Sequence, residues 1–178
     1  MIELLNKKHH RKDFDCGKEL LNSYLKNQAS QDVKRKLSAC FVFTDTATKS
    51  IQGYYTLSNH SIPLNCFSEQ VQNKLPKSYT SIPTTLLGRL AIDKKFQGQG
   101  IGKILLVDAL KRSYDISKTI GSFGIIVDPI DNQAKSFYHR YDFIELPDSE
   151  KMFIATKTLK DLFELDIPEH TDPLKSGC

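Results

Sequence analysis

The stretch Leu86-Leu87-Gly88-Arg89-Leu90-Ala91-Ile92-Asp93-Lys94-Lys95-Phe96-Gln97-Gly98-Gln99-Gly100-Ile101-Gly102-Lys103 decides how the rest of the chain is read. Residues 84–93 carry Leu86, Leu87, Leu90 and Ile92 and are expected to form a strand. From Ile101 to Tyr114 the pattern changes to a helical one: Ile101, Leu105 and Ala109 form one i, i+4 row, with Leu106 and Leu110 beside it. Between the two lie Gly98, Gly100 and Gly102. Glycines remove side chains where a backbone must come close to a ligand, and they permit positive φ angles. The start of the helix adds unpaired N–H groups and the positive end of its dipole. Strand, glycine turn and helix together suit a phosphate, or else form a tight turn with no ligand. The Walker pattern fails, because Ile104 follows Lys103 where Ser or Thr is needed, and the spacing G-x-G-x-G is not the dinucleotide fingerprint G-x-G-x-x-G.

Downstream, residues 123–127 are an apolar strand closed by Asp128-Pro129. A helix is expected over about 131–140, then two short strands over 143–146 and 152–156. Upstream, Leu20, Leu21, Tyr24, Leu25 and Ala29 fall at helical spacing within 14–32. Residues 40–44 and 51–57 flank a polar turn and predict a hairpin. The segment 63–83 is less regular, with a short helix over 68–75 capped by Ser68 and ended by Pro76. Helices and strands so mixed predict an α/β (α+β) domain built on one sheet.

With 178 residues, 39% of them apolar, the chain can bury one sizeable core. One domain over 1–165 is expected, with 166–178 as a flexible acidic tail. The net charge of +4 is uneven, since residues 158–178 carry −3. A basic body suits an anionic partner, or serves solubility alone. No apolar run approaches the roughly 20 residues needed to cross a bilayer, and the N-terminal charges follow the apolar residues instead of preceding them, the wrong order for a signal peptide. Cys16, Cys40, Cys66 and Cys178 are widely spaced, with no C-x-x-C. His9-His10 is read as solvated surface, and no metal site is expected. These features point to a reducing, cytoplasmic setting without membrane contact.

Gln97-Gly98-Gln99-Gly100-Ile101-Gly102 matches the Q/R-x-x-G-x-G/A motif of the GNAT acetyltransferases, and the chain resembles that family on both sides of it. Residues 86–93 look like the family strand whose backbone pairs with the pantetheine arm. Ala134-Lys135-Ser136-Phe137-Tyr138-His139-Arg140-Tyr141-Asp142-Phe143 resembles the A-x-x-F-Y-x-x-x-G-F segment, with Asp142 in place of the usual glycine. Asp tolerates a left-handed backbone, so the turn is expected to survive. Phe14-Asp15-Cys16-Gly17 with Leu21, Tyr24 and Leu25, then Gly53-Tyr54-Tyr55-Thr56-Leu57, then Gly88-Arg89-Leu90-Ala91, are similar to the toxins of type II toxin–antitoxin systems within that family. The resemblance covers about residues 13–160.

The resemblance implies a GNAT fold: one mixed, mostly antiparallel central sheet with a splayed pair of strands, flanked by helices. It implies acetyl-CoA as the cofactor, held by Leu90, Ala91 and Ile92 on the strand and by Gln97, Gly98, Gln99, Gly100, Ile101, Gly102 and Lys103 at the turn, with Asp131 as a further contact. It makes Tyr138 the general acid beside the sulfur, and of two adjacent aromatics on a helix Tyr138 is expected to be the one turned from the core. A phenol near 10 suits protonation of a departing thiolate near 8.5 or above. Arg89 is expected to meet tRNA or coenzyme phosphate, and Lys34, Arg35, Lys36, Lys94, Lys95 and the basic run at 7–12 are candidate RNA contacts, each of them otherwise a solvated cation. In the toxin group the acceptor is the α-amine of an aminoacyl-tRNA, which blocks translation, and the partner is a small DNA-binding antitoxin; a homodimer is expected. No general base stands out, which fits an α-amine titrating near 7.7–8.0. The alternatives are acetylation of a small amine or a protein N-terminus, and a coenzyme A-binding module without turnover.

Overall fold

The computed structural model describes residues 1–164; the acidic tail expected over 166–178 lies outside the described residues. Its strands are β1 (Ile2–Leu4), β2 (Ala39–Thr44), β3 (Ile51–Pro63), β4 (Ser81–Ile92), β5 (Gly124–Val127), β6 (Ile144–Glu145) and β7 (Met152–Ala155). Its helices are α1 (Glu19–Ser23), α2 (Ala29–Arg35), α3 (Glu69–Gln72), α4 (Ile101–Ser117), α5 (Asn132–His139) and α6 (Thr156–Glu164), with a wide π turn, Tyr24–Gln28, joining α1 to α2. The strands form one sheet in the order β1-β2-β3-β4-β5-β7-β6. Every pairing is antiparallel except β4 with β5, whose connection runs through α4, as a parallel pair requires. The expected mixed, mostly antiparallel sheet flanked by helices is the fold observed.

The splay has a local cause. β5 pairs with β4 only at Thr85, Leu86 and Leu87. Thr56 lies opposite Arg89 and Leu57 opposite Leu87, so Gly88 is an extra residue that bulges β4. A bulge bends and twists its strand. β5 stops at Val127, where Asp128-Pro129 follows, and proline cannot continue a ladder. From Arg89 to Ile92, β4 therefore keeps its β3 partner and leaves its other edge without a strand.

Both faces of the sheet are covered. On one, α4 and α6 pack Leu105, Leu106, Ala109, Leu110 and Leu159 against Tyr55, Leu57, Leu87 and Ile125. On the other, the N-terminal segment and the α1–α2 run bring Phe14, Tyr24, Leu25 and Ala29 onto Cys40, Val42, Tyr54 and Ala91. A separate cluster at that face, with Ile62, Phe67, Ile82, Ile126 and Phe153, lies under the 64–75 segment. Among the described residues no helix is long and apolar enough to cross a membrane.

Several local expectations need correction. Residues 14–18 are not helical. The Asp15 carboxylate takes the Gly17 N–H and the Asn22 amide, and Gly17 has a φ of +85°. The helix at 68–75 shrinks to Glu69–Gln72, and the Ser68 side chain caps nothing. β3 and β4 run longer than expected: they pair on from Ser58 with Leu86 to Pro63 with Ser81, which takes in both ends of the segment 63–83 read as irregular. β1 and α6 were not expected. His9 is buried instead of solvated: its Nδ1 accepts the Asn6 N–H and its Nε2 lies 3.3 Å from Glu3.

Candidate active site

A cavity of about 620 Å³ opens where β4 and β5 part. It is lined by Leu90, Ala91 and Ile92 of β4, by Gln97, Gly98, Gly100, Ile101, Gly102 and Lys103 of the turn, and by Asp131 and Tyr138 of the α5 region. Ten of the eleven residues expected to hold a cofactor therefore share one cavity with the expected catalytic tyrosine. The eleventh, Gln99, turns its amide back to the Lys95 carbonyl, 3.1 Å away.

The turn is shaped by its glycines. Gly98 and Gly100 have φ angles of +75° and +81°, and a side chain there would meet nothing within 4 Å. No protein atom crowds these positions, so within the fold itself glycine is needed for the backbone angle. The first intrahelical bond of α4 runs from the Ile104 N–H to the Gly100 carbonyl, so the amides of 101–103 have no partner within the helix. Gln97 braces the turn from below: its side-chain amide donates to the Cys16 carbonyl at 3.2 Å and to the Ile92 carbonyl at 3.0 Å. Asp93 does the same one step earlier, accepting the Asp15 and Lys95 backbone N–H groups.

Tyr138 sits deeper than expected. Its ring is buried against Phe137 and Phe143, at centroid distances of 5.3 and 5.2 Å. Phe137, the less buried of the two neighbours, also lines the cavity, so the pair does not divide into one core residue and one site residue. No described side chain bonds the Tyr138 hydroxyl, and burial pushes its pKa well above the ordinary phenol value. The phenol is thus a firmly protonated donor, and a weaker acid than one near 10. The chain around it turns at Asp142, whose φ of +63° is the left-handed conformation expected there.

Asp131 is more than a wall of the cavity. Its carboxylate accepts the Ala134 N–H at 2.8 Å, which caps α5, and pairs with Lys18 at 2.8 Å. Lys18, from the segment before α1, lines the cavity together with Leu21. Arg140 and Tyr141 also line the cavity. Nothing in the local spacing brings Lys18 and Leu21 to a turn some 80 residues later; only the sheet does so.

The candidate RNA contacts divide. Lys34, Arg35 and Lys36 are exposed at the end of α2, where Lys36 ends the helix with a φ of +61°. Lys95 is exposed beside the turn. The Lys94 ammonium is committed to Asp15 at 2.9 Å. Arg89 is half-buried on the face opposite α4, with its guanidinium 3.5 Å from the centre of the Tyr24 ring. Among the described residues no cluster of three or more His, Cys, Asp or Glu side chains could hold a metal.

The model of the acetyltransferase (GNAT) domain matches residues 80–154, from β4 to β7. The tRNA-acetylating toxin of Mycobacterium tuberculosis is 32% identical over 130 residues, covering 73% of this chain and 75% of the toxin. Among solved structures, AtaT complexed with acetyl-methionyl-tRNAfMet matches with a TM-score of 0.85 at 31% identity, over 92% of this chain and 98% of that one. A Tyr-to-Phe variant of AtaT, bound to the C-terminus of the antitoxin AtaR and acetyl-CoA, matches with a TM-score of 0.77 at 28% identity, over 92% and 97%. With the splayed sheet, the glycine turn at the start of α4 and these relatives in view, the chain belongs to the GNAT acetyltransferases, in the group of the tRNA-acetylating toxins.

Proposed function

We propose that this chain transfers the acetyl group of acetyl-CoA to the α-amine of an aminoacyl-tRNA and thereby blocks translation. The observation that carries the proposal is the meeting, in one cavity, of three elements suited to acetyl transfer: the free amides at 101–103, the open edge of β4 and Tyr138. The M. tuberculosis toxin and tRNA-bound AtaT support the choice of acceptor, and AtaT with AtaR and acetyl-CoA supports the coenzyme and an antitoxin partner. An aminoacyl-tRNA acceptor puts the protein at work in the cytoplasm.

The residues present fit coenzyme A. Unpaired amides at a helix start and two glycines with open space beside them suit a pyrophosphate, and Lys103 and Arg140 add positive charge to the cavity wall. The bound coenzyme supplies an acetyl group activated as a thioester. The backbone of 88–92, free on the β5 side, offers alternate N–H groups to the pantetheine arm and to the acetyl oxygen as negative charge builds there. Tyr138 holds a proton at its hydroxyl for the sulfur. Arg89, Lys34, Arg35, Lys36 and Lys95 receive phosphates of the RNA.

The test offers labelled acetyl-CoA with four acceptors side by side: charged tRNA, uncharged tRNA, a polyamine and a peptide with a free N-terminus. Label is expected on charged tRNA alone. Label on the polyamine or the peptide, with none on charged tRNA, overturns the proposal.

A further inference from the structure

The bulge that splays β4 also sends Arg89 to the face away from α4, where it lies across from Thr56. There it meets Tyr24. The guanidinium carbon stands 3.5 Å from the ring centre, a stacking distance. Among the described residues no carboxylate pairs with Arg89. It is a half-buried cation whose donors are not spent on an acid.

Tyr24 is itself held from several sides. It is the first residue of the π turn, a wider turn than the α-helix on either side of it. Tyr24, Leu25 and Ala29 all enter the core under that turn. Its hydroxyl bonds Ser38 at 3.2 Å. Its ring runs nearly parallel to that of Tyr54, at 6.4 Å and 19°, and Tyr54 is fixed in turn by a bond to the Leu21 carbonyl at 2.8 Å. Arg89 thus rests on a rigid aromatic plate. A guanidinium presents its donors in a flat fork suited to phosphate, and a free arginine loses rotamer freedom when it forms that contact.

We infer that Tyr24 is a positioning residue: its ring pre-orients the Arg89 guanidinium, with its donors unspent, to receive a phosphate next to the reacting end of the RNA. This rests on the proposed acceptor: Arg89 is the chain neighbour of Leu90, which lines the cavity where that proposal has the aminoacyl end react. Tyr24 touches neither substrate nor coenzyme and acts through Arg89.

Two measurements test it. In the first, the side-chain resonances of Arg89 are recorded by NMR in wild type, Tyr24→Phe and Tyr24→Leu, and assigned with Arg89→Lys. Stacking on a ring shifts them upfield. The shift is expected in wild type and Tyr24→Phe and is expected to vanish in Tyr24→Leu; a resonance at the position of free arginine in wild type, or one unmoved in Tyr24→Leu, overturns the inference. In the second, Tyr24→Leu is expected to raise KM for charged tRNA roughly 3- to 30-fold, the cost of ordering an arginine side chain that is no longer held in place. KM for acetyl-CoA should not move, and Tyr24→Phe should restore most of the loss. In an Arg89→Ala background Tyr24→Leu should cost nothing more; the same cost with and without Arg89 shows a structural role and overturns the inference. If wild type leaves charged tRNA unmodified, the proposed acceptor fails, and the NMR comparison still decides the clamp.

Discussion

Lys18 and Asp131 both line the cavity and pair with each other, Nζ to Oδ2 at 2.8 Å, and so tie the segment before α1 to the N-terminal cap of α5. Lys18 and the Ala134 backbone N–H hold the Asp131 carboxyl below its usual range, while Asp131 holds the lysine above its own. A depressed carboxylate stabilises the fold above its unfolded pKa, and that contribution is lost as pH falls through the folded value. Asp131→Asn keeps a good cap and loses the ion pair. It should therefore melt below wild type at neutral pH, with the gap closing once the pH falls below the carboxylate range. Asp131→Ala also loses the cap, worth about 1 kcal/mol, and should lie below Asn at every pH. Thermal unfolding of the three proteins across pH checks both parts.

Tyr138→Phe removes a hydroxyl with no described partner, so thermal stability should be unchanged. The turnover number should fall by about 10²- to 10⁴-fold, the usual range for a positioned acid, with KM for acetyl-CoA little affected. Because burial raises the phenol pKa, the wild-type rate should show no alkaline loss from this group up to its ordinary value of about 10. A Phe variant at wild-type speed removes Tyr138 from the chemistry.

Two glycine substitutions should separate binding from folding. At Gly100 a methyl group meets open space and the cost is the left-handed backbone alone, roughly 1–2 kcal/mol. Gly100→Ala should remain folded and raise KM for acetyl-CoA. At Gly124 a Cβ would stand 2.2 Å from the Phe153 ring and 2.4 Å from the Ile154 carbonyl oxygen. No rotamer relieves a clash with backbone. Gly124→Ala should lose about 1–3 kcal/mol or more, read from urea unfolding, with KM for acetyl-CoA unmoved in what remains folded.

α6 ends the described chain and closes one face. Leu159 is fully buried, Phe163 stacks on Tyr114 at 6.0 Å, and Glu164 pairs with Lys118 at 3.1 Å. Leu159→Ala should cost about 2–5 kcal/mol, the range for a buried leucine. A change below 1 kcal/mol in denaturant unfolding would mean that α6 does not belong to the core.

Much of the site was legible because its signals are local. Gly98 and Gly100 sit where positive φ is required, and α4 shows its period from Ile101 to Leu110. The rest depends on contacts made across the sheet. Phe14 to Leu25 has helical apolar spacing, yet residues 14–18 are pinned in another shape by Asp93, which takes the Asp15 N–H, and by the Lys94 bond to Asp15. Thr156-Lys157-Thr158 carries no helix signal, and α6 forms because Leu159 and Phe163 find a place under α4. Tyr138 was legible as a residue but not as an environment: its burial among Phe137 and Phe143 depends on how α5 packs.

The most direct measurement of the central claim locates the label on the RNA. Charged tRNA is incubated with the protein and labelled acetyl-CoA, and the aminoacyl ester is then cleaved with mild base. Acetylation of the α-amine predicts that all label leaves the RNA as N-acetyl-amino acid, and that Tyr138→Phe releases little. Label that stays on the RNA, or that never joins it while the protein consumes acetyl-CoA with another amine, contradicts the account.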